Sequence, residues 1–214
     1  MADSRPDPIP FQYVTREQRC GADRLGMWIF LVTELLLFGS LFTSFAEYAA
    51  LYPTVFHEAS LHLNLALGAL DTVLLLLSSL AMALAVRSLR VGRRRTIGLL
   101  AATAGLGVVF LGLKFAEYIQ HYHEHLAPGF GFAYPGPQAQ HAELFFVLYF
   151  VMTGLHALHL TIGIILVAAM LVLVRLGRFS PEQYLPLDLV GLYWHFVDII
   201  WVFLYPTLYL IGRH

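Results

Sequence analysis

The chain has 214 residues, of which 58% are hydrophobic and only 13% charged, with a mean hydropathy of +0.69. A soluble domain carries about 25% charged residues, so this composition excludes an ordinary water-soluble enzyme, gives no basic surface for nucleic acid, and points to a membrane protein. The formal net charge of −1 says little by itself, and the single Cys20 allows no internal disulfide.

Residues 1–23 contain Pro6, Pro8, Pro10 and the polar run TREQR, and read as an irregular polar arm with no signal-peptide core. A transmembrane domain over 24–214 follows. It holds five apolar segments, at about 25–51, 61–89, 96–120, 143–174 and 187–211, each long enough to cross a hydrocarbon core of about 30 Å. The expected fold is therefore all-α, a polytopic bundle of five transmembrane helices. Arg5, Arg16, Arg19 and Arg24 precede the first span. Arg87, Arg90, Arg93, Arg94 and Arg95 join the second to the third, and Arg175 and Arg178 join the fourth to the fifth. The remaining linkers, 52–60 and 121–142, carry no Lys or Arg. Eleven of the 13 basic residues thus fall on one side, which the positive-inside rule makes cytoplasmic. The amino terminus is expected in the cytoplasm and the carboxyl terminus outside.

Small residues suggest where helices approach. Gly98, Ala102, Gly105, Gly112 and Ala116 form a stripe on the third span, and Gly39, Thr43, Ala46 and Ala50 form one on the first. Such stripes are expected at close helix contacts in lipid.

Ionisable residues inside apolar spans are costly, so each needs a reason. Glu34 lies ten residues past Arg24, about 15 Å deep at 1.5 Å per residue. A carboxylate there is protonated or paired, and it serves either proton handling and partner contact or a neutral hydrogen-bonded acid. Lys114 and Glu117 sit three apart near the end of span three. They read as an interfacial pair whose lysine snorkels outward, with an Asp71–Lys114 pair between helices as the alternative. His156 and His159 on span four, and His195 and Asp198 on span five, are again three apart. The latter two share a helical face and could hydrogen-bond each other. Together these groups form a polar seam. Haem or metal ligation by the histidines competes with a structural or lipid-headgroup role, and the latter is the stronger reading because a metal site needs three or four donors. The loop histidines His121, His123 and His125 read as wet interface rather than as a metal centre.

There is no nucleotide loop, CxxC pair, HExxH or nucleophile elbow. No inverted repeat suggests a transporter. An accessory subunit fits better than a self-contained enzyme, and no catalytic residue is assigned.

Four motifs carry a family resemblance: RLGMWIFLVTELLLFGSLF with Glu34, FAEYIQ with Glu117, FVMTGLHALHLTIG with His156 and His159, and LYWHFVDIIWVFLYP with Trp194, His195 and Asp198. In this order, over residues 24–212, they resemble subunit III of the haem–copper respiratory oxidases, the cytochrome c oxidase subunit III family, in a five-helix form. The resemblance implies a subunit without redox centres of its own, beside a catalytic subunit I that holds haem and copper and reduces dioxygen to water while pumping protons. Subunit II, and a subunit IV in some complexes, would be further partners, in a bacterial inner (plasma) membrane. It further implies that Glu34 occupies the buried glutamate position near the subunit I contact. Glu117, His156, His159, Trp194, His195 and Asp198 would form a lipid-adjacent bundle network, with bound phospholipid and no metal. Asp71 and Lys114 lie outside the motifs. The seven-helix form has two further helices before the segment matching residues 24–51, so a lipid cleft built against them would need a neighbouring subunit here. A quinol oxidase subunit III and an accessory protein of nitric oxide reductase are the alternatives to the cytochrome c oxidase reading.

Overall fold

The computed structural model describes residues 15–89, 92–129, 131–134, 138–177 and 185–211. Among them every regular element is a helix: α1 (Arg16–Leu51), α2 (Pro53–Ser60), α3 (Leu65–Ser88), α4 (Arg93–His123), α5 (Ala139–Arg175) and α6 (Leu185–Tyr205), the last running into a π-helical turn, Pro206–Leu210. Five helices, all but α2, are long and apolar enough to cross a membrane.

The helices begin and end for local reasons. Helix α1 starts at Arg16, well before the expected position 25, because the Thr15 hydroxyl caps it by accepting from the Gln18 N–H at 3.1 Å and Glu17 sits in its first turn. Residues 16–23 are therefore helical rather than an irregular arm, while residues 1–14 lie outside the described residues. Tyr52 (φ −128°, ψ 56°) breaks the helix, and Pro53 opens the short α2 where a linker was expected. Asn64 then caps α3 by accepting from the backbone N–H groups of Ala66 and Leu67.

Helices α3, α4, α5 and α6 pack into a four-helix group, with α3 against α4 and α6, and α5 against α4 and α6. Helix α1 leans on α5 and α6. Its apolar side chains are mostly exposed, among them Trp28, Ile29, Leu35 and Leu36. Helix α2 closes one end, inserting Phe56 against Phe45 and Phe145. The opposite end carries the arginines around position 93.

The face that α4 buries is marked by Thr96, Leu100, Thr103, Gly107, Phe110 and Lys114, spaced as one side of a helix. The expected glycine–alanine stripe lies on the other side: Gly98, Ala102, Gly105, Gly112 and Ala116 are all exposed. A Cβ at Gly98, Gly105 or Gly112 would meet nothing within 4 Å, and the same holds at Gly39 on α1. Close approach is made instead around Trp194, which is fully buried at the centre of the bundle. A Cβ at Gly107 would come within 2.9 Å of its ring, and one at Gly163 within 3.1 Å. Those two glycines are small because the indole needs the room.

Candidate functional site: a polar seam through the bundle

The seam resolves into three groups of contacts. In the first, Glu34 of α1 reaches His159 of α5, with Oε2 3.0 Å from Nε2. Both are largely buried, their side chains 16% and 10% exposed, and Phe38 packs edge-on against the imidazole at 5.3 Å. The other ring nitrogen, Nδ1, lies 2.8 Å from the carbonyl oxygen of Leu155. A carbonyl cannot donate, so Nδ1 carries a hydrogen. In the neutral ring Nε2 is then an acceptor, and the proton between the two residues belongs to Glu34. In the charged form Nε2 donates to a carboxylate. Either way the pair holds one proton and no net charge, which suits an apolar bundle. The carboxylate that the sequence left without a local partner has one 125 residues away.

The second group ties α6 to α3. Trp194 donates its indole N–H to Ser78 at 3.1 Å, Trp201 donates to Thr72 at 3.1 Å, and His195 Nδ1 meets the Ser79 hydroxyl at 2.6 Å. The expected His195–Asp198 bond is replaced by His195–Ser79. Neither oxygen of the buried Asp198 makes a hydrogen bond of good geometry, and the Ser79 hydroxyl is the polar group within its reach. His156 also stands apart from its neighbour. It is fully buried between Phe110 and Trp201, at ring separations of 5.6 and 5.2 Å, and both its nitrogens lack hydrogen-bond partners. His156 and His159, three residues apart, thus occupy unrelated environments.

The third group surrounds Lys114. Its ammonium lies 2.6 Å from Glu117 Oε2, 2.8 Å from the Tyr209 hydroxyl and 3.0 Å from Asp71 Oδ2. Of its three N–H donors, two are hydrogen-bonded, to Glu117 and Tyr209, and the Asp71 contact is an ion pair without hydrogen-bond geometry. The side chains of Lys114, Asp71 and Glu117 are only 3%, 1% and 2% exposed. Lys114 therefore does not snorkel. Helices α3 and α4 and the π-helical turn converge on it, and Trp201 lies under the ammonium with its ring centroid 4.5 Å away. Sequence reasoning named Asp71 as a possible partner at matching depth but missed Tyr209, whose position beyond Pro206 carries no polar pattern. Ser78, Ser79 and Thr72 were also missed. Their signal is the seven-residue spacing of Thr72 and Ser79 on one face of α3.

Beside the first group, α1 and α6 diverge to leave an apolar cleft of about 690 Å³, lined by residues that include Trp28, Leu35, Phe42, His195 and Phe203. Among the described residues no three His, Cys, Asp or Glu side chains converge as a metal site.

Residues 15–213 match the family model described as cytochrome c oxidase subunit III. The chain is 30% identical over 209 residues to quinol oxidase subunit 3 of Bacillus subtilis, covering 95% of this chain and 93% of that one. It is 32% identical over 191 residues to cytochrome bo(3) ubiquinol oxidase subunit 3 of Pseudomonas putida, covering 88% and 85%. It is 30% identical over 191 residues to cytochrome c oxidase subunit 3 of Synechocystis, covering 87% and 74%. With five membrane-spanning helices and a match over nearly its whole length, the chain belongs to the haem–copper oxidase subunit III family and is a membrane subunit of an oxidase complex.

Proposed function

We propose that this chain is the non-catalytic subunit III of a proton-pumping haem–copper terminal oxidase. In this reading it stabilises catalytic subunit I and supports proton uptake during the reduction of dioxygen to water. The observation that carries the reading is the Glu34–His159 pair. It supports the reading by setting a hydrogen-bonded carboxyl within the apolar run of α1, the described span least covered by the rest of the chain. A helix so exposed has room for a partner subunit on its outer face, with the largely buried pair behind that face. Haem and copper belong to the partner subunits in this assignment, subunit II adjoining and a subunit IV where the complex has one.

The cleft between α1 and α6 supports phospholipid binding by this chain, because its walls are almost entirely apolar and it opens along the spans. The arginines at 87, 90, 93–95, 175 and 178 support a cytoplasmic amino terminus in a bacterial inner membrane.

For the electron donor, cytochrome c is the first reading and a quinol the second. The second is favoured about equally, because relatives matched over nearly their full length are named quinol oxidase subunit 3. Oxygen consumption by the purified complex, driven by reduced cytochrome c or by a quinol, separates them. Turnover with cytochrome c supports the first donor, and turnover with quinol alone overturns it in favour of the second.

A further inference from the structure

The cluster around Lys114 has a charge imbalance that its contacts do not resolve. Two carboxyl groups, Asp71 and Glu117, share one ammonium, and all three side chains are at most 3% exposed. Ionised in full, the cluster would bury a net negative charge inside the helix bundle, where an unsolvated charge is strongly disfavoured. Glu117 is well satisfied, since its oxygens receive Lys114 and the Tyr209 O–H at 3.0 Å. Asp71 is not. Its contact with Lys114 lacks hydrogen-bond geometry, and neither of its oxygens has a hydrogen-bond partner.

From the cluster, polar side chains follow one another toward the α2 end of the bundle, joined by hydrogen bonds as far as Tyr149 and by ring contact beyond it. Tyr209 lies 3.3 Å from the hydroxyl of Tyr149 on α5. The Tyr149 ring meets the edge of His121 at a separation of 5.6 Å. His121 is buried, with both ring nitrogens lacking hydrogen-bond partners, and its Nδ1 stands 3.6 Å from Glu124 Oε2, whose side chain is 41% exposed. Unpartnered nitrogens on a buried ring between a tyrosine and a surface carboxylate are what a relay, or a water beside it, would use.

We propose that Asp71, Lys114 and Glu117 form a proton-binding site that holds one exchangeable proton on its two carboxyl groups, reached from the aqueous face at Glu124 through His121, Tyr149 and Tyr209. Binding converts one carboxylate to a carboxylic acid and changes nothing else, leaving one carboxylate paired with one ammonium. The titratable groups facing the cluster are Tyr118 and His121 on α4, Tyr149 on α5 and Tyr209 beyond α6. Tyr118 is engaged with Thr153 at 2.6 Å, and His156 lies beyond Phe110. Lys114 holds the two acids in one place and is a positioning residue.

Infrared difference spectra of the intact, purified oxidase complex test the site. Asp71→Asn and Glu117→Gln should each remove one carboxylic-acid carbonyl band and no carboxylate band, because either substitution leaves a single carboxylate opposite Lys114. If each variant instead removes a carboxylate band, the cluster is anionic and the proposal is overturned. Hydrogen–deuterium exchange of the acid band tests the path in a variant that leaves the cluster intact. Exposed Glu124→Gln should slow its shift in deuterated buffer several-fold relative to the parent complex. An acid band absent from the parent complex, or unshifted after prolonged exchange, overturns the exchangeable proton. Equal exchange rates overturn the route.

Discussion

His159 Nδ1 is committed to the Leu155 carbonyl at 2.8 Å while Nε2 faces Glu34 Oε2 at 3.0 Å. The carbonyl settles which nitrogen bears hydrogen, so the single remaining proton lies between an α1 carboxyl and an α5 imidazole. Glu34→Gln keeps a donor facing Nε2 and removes the exchangeable proton. The complex should assemble with unchanged thermal stability and lose activity faster during sustained turnover. Glu34→Leu removes the partner instead and should cost about 1–3 kcal/mol, read as a lower melting temperature. An unchanged turnover lifetime in Glu34→Gln would count against a protonic role.

The α6–α3 contacts should behave as separate rungs. Ser79→Ala leaves His195 Nδ1 without its partner at 2.6 Å, and Ser78→Ala does the same to the Trp194 indole. Each should cost about 1–3 kcal/mol in thermal denaturation of the complex. Asp198→Asn, at a carboxyl with no well-formed hydrogen bond, should be milder than either. If Asp198→Asn proves the most damaging, a partner outside this chain holds that carboxyl.

Glycine positions give a matched pair. Gly163→Val pushes atoms into the Trp194 ring, 3.1 Å from a first added carbon, whereas Gly105→Val meets nothing within 4 Å. The former should destabilise the complex by about 1–3 kcal/mol, lowering its recovery in detergent, with the latter near the parent value. The opposite ranking would mean that the exposed α4 stripe is itself a tight interface with another subunit.

Lys114→Met leaves two buried acids without their cation. Breaking a buried ion pair by removing one partner costs about 3–5 kcal/mol, so this variant should show the largest loss of thermal stability of those described. A stability equal to the parent would show that lipid or water already screens the cluster.

The spans were legible in the sequence because hydropathy over about 20 residues is a property of the segment alone. Glu34, Glu117, His156, His159, Trp194, His195 and Asp198 were legible as a set because each is polar or indole-bearing within an apolar run. Their partners were not. Glu34 meets His159 across 125 residues, and such a pairing depends on which helices neighbour each other. The same ignorance explains the two clearest differences. Depth alone placed Lys114 near an interface and implied snorkelling, whereas burial followed from α3 and the π-helical turn covering it. Periodicity found a small-residue stripe on α4 but could not say which face turns inward, and the buried face proved to be that of Gly107. Helix α2 escaped notice because eight residues in a polar linker carry too short a pattern to read.

As subunit III, this chain is a working part of a haem–copper oxidase complex. Purification from membranes in mild detergent through a tag on this chain, with an optical spectrum and identification of the co-purifying subunits, tests that most directly. Reduced-haem bands and a haem–copper catalytic subunit should accompany the tagged chain. A colourless chain recovered alone, from membranes whose oxidase is intact and purifies separately, would contradict it.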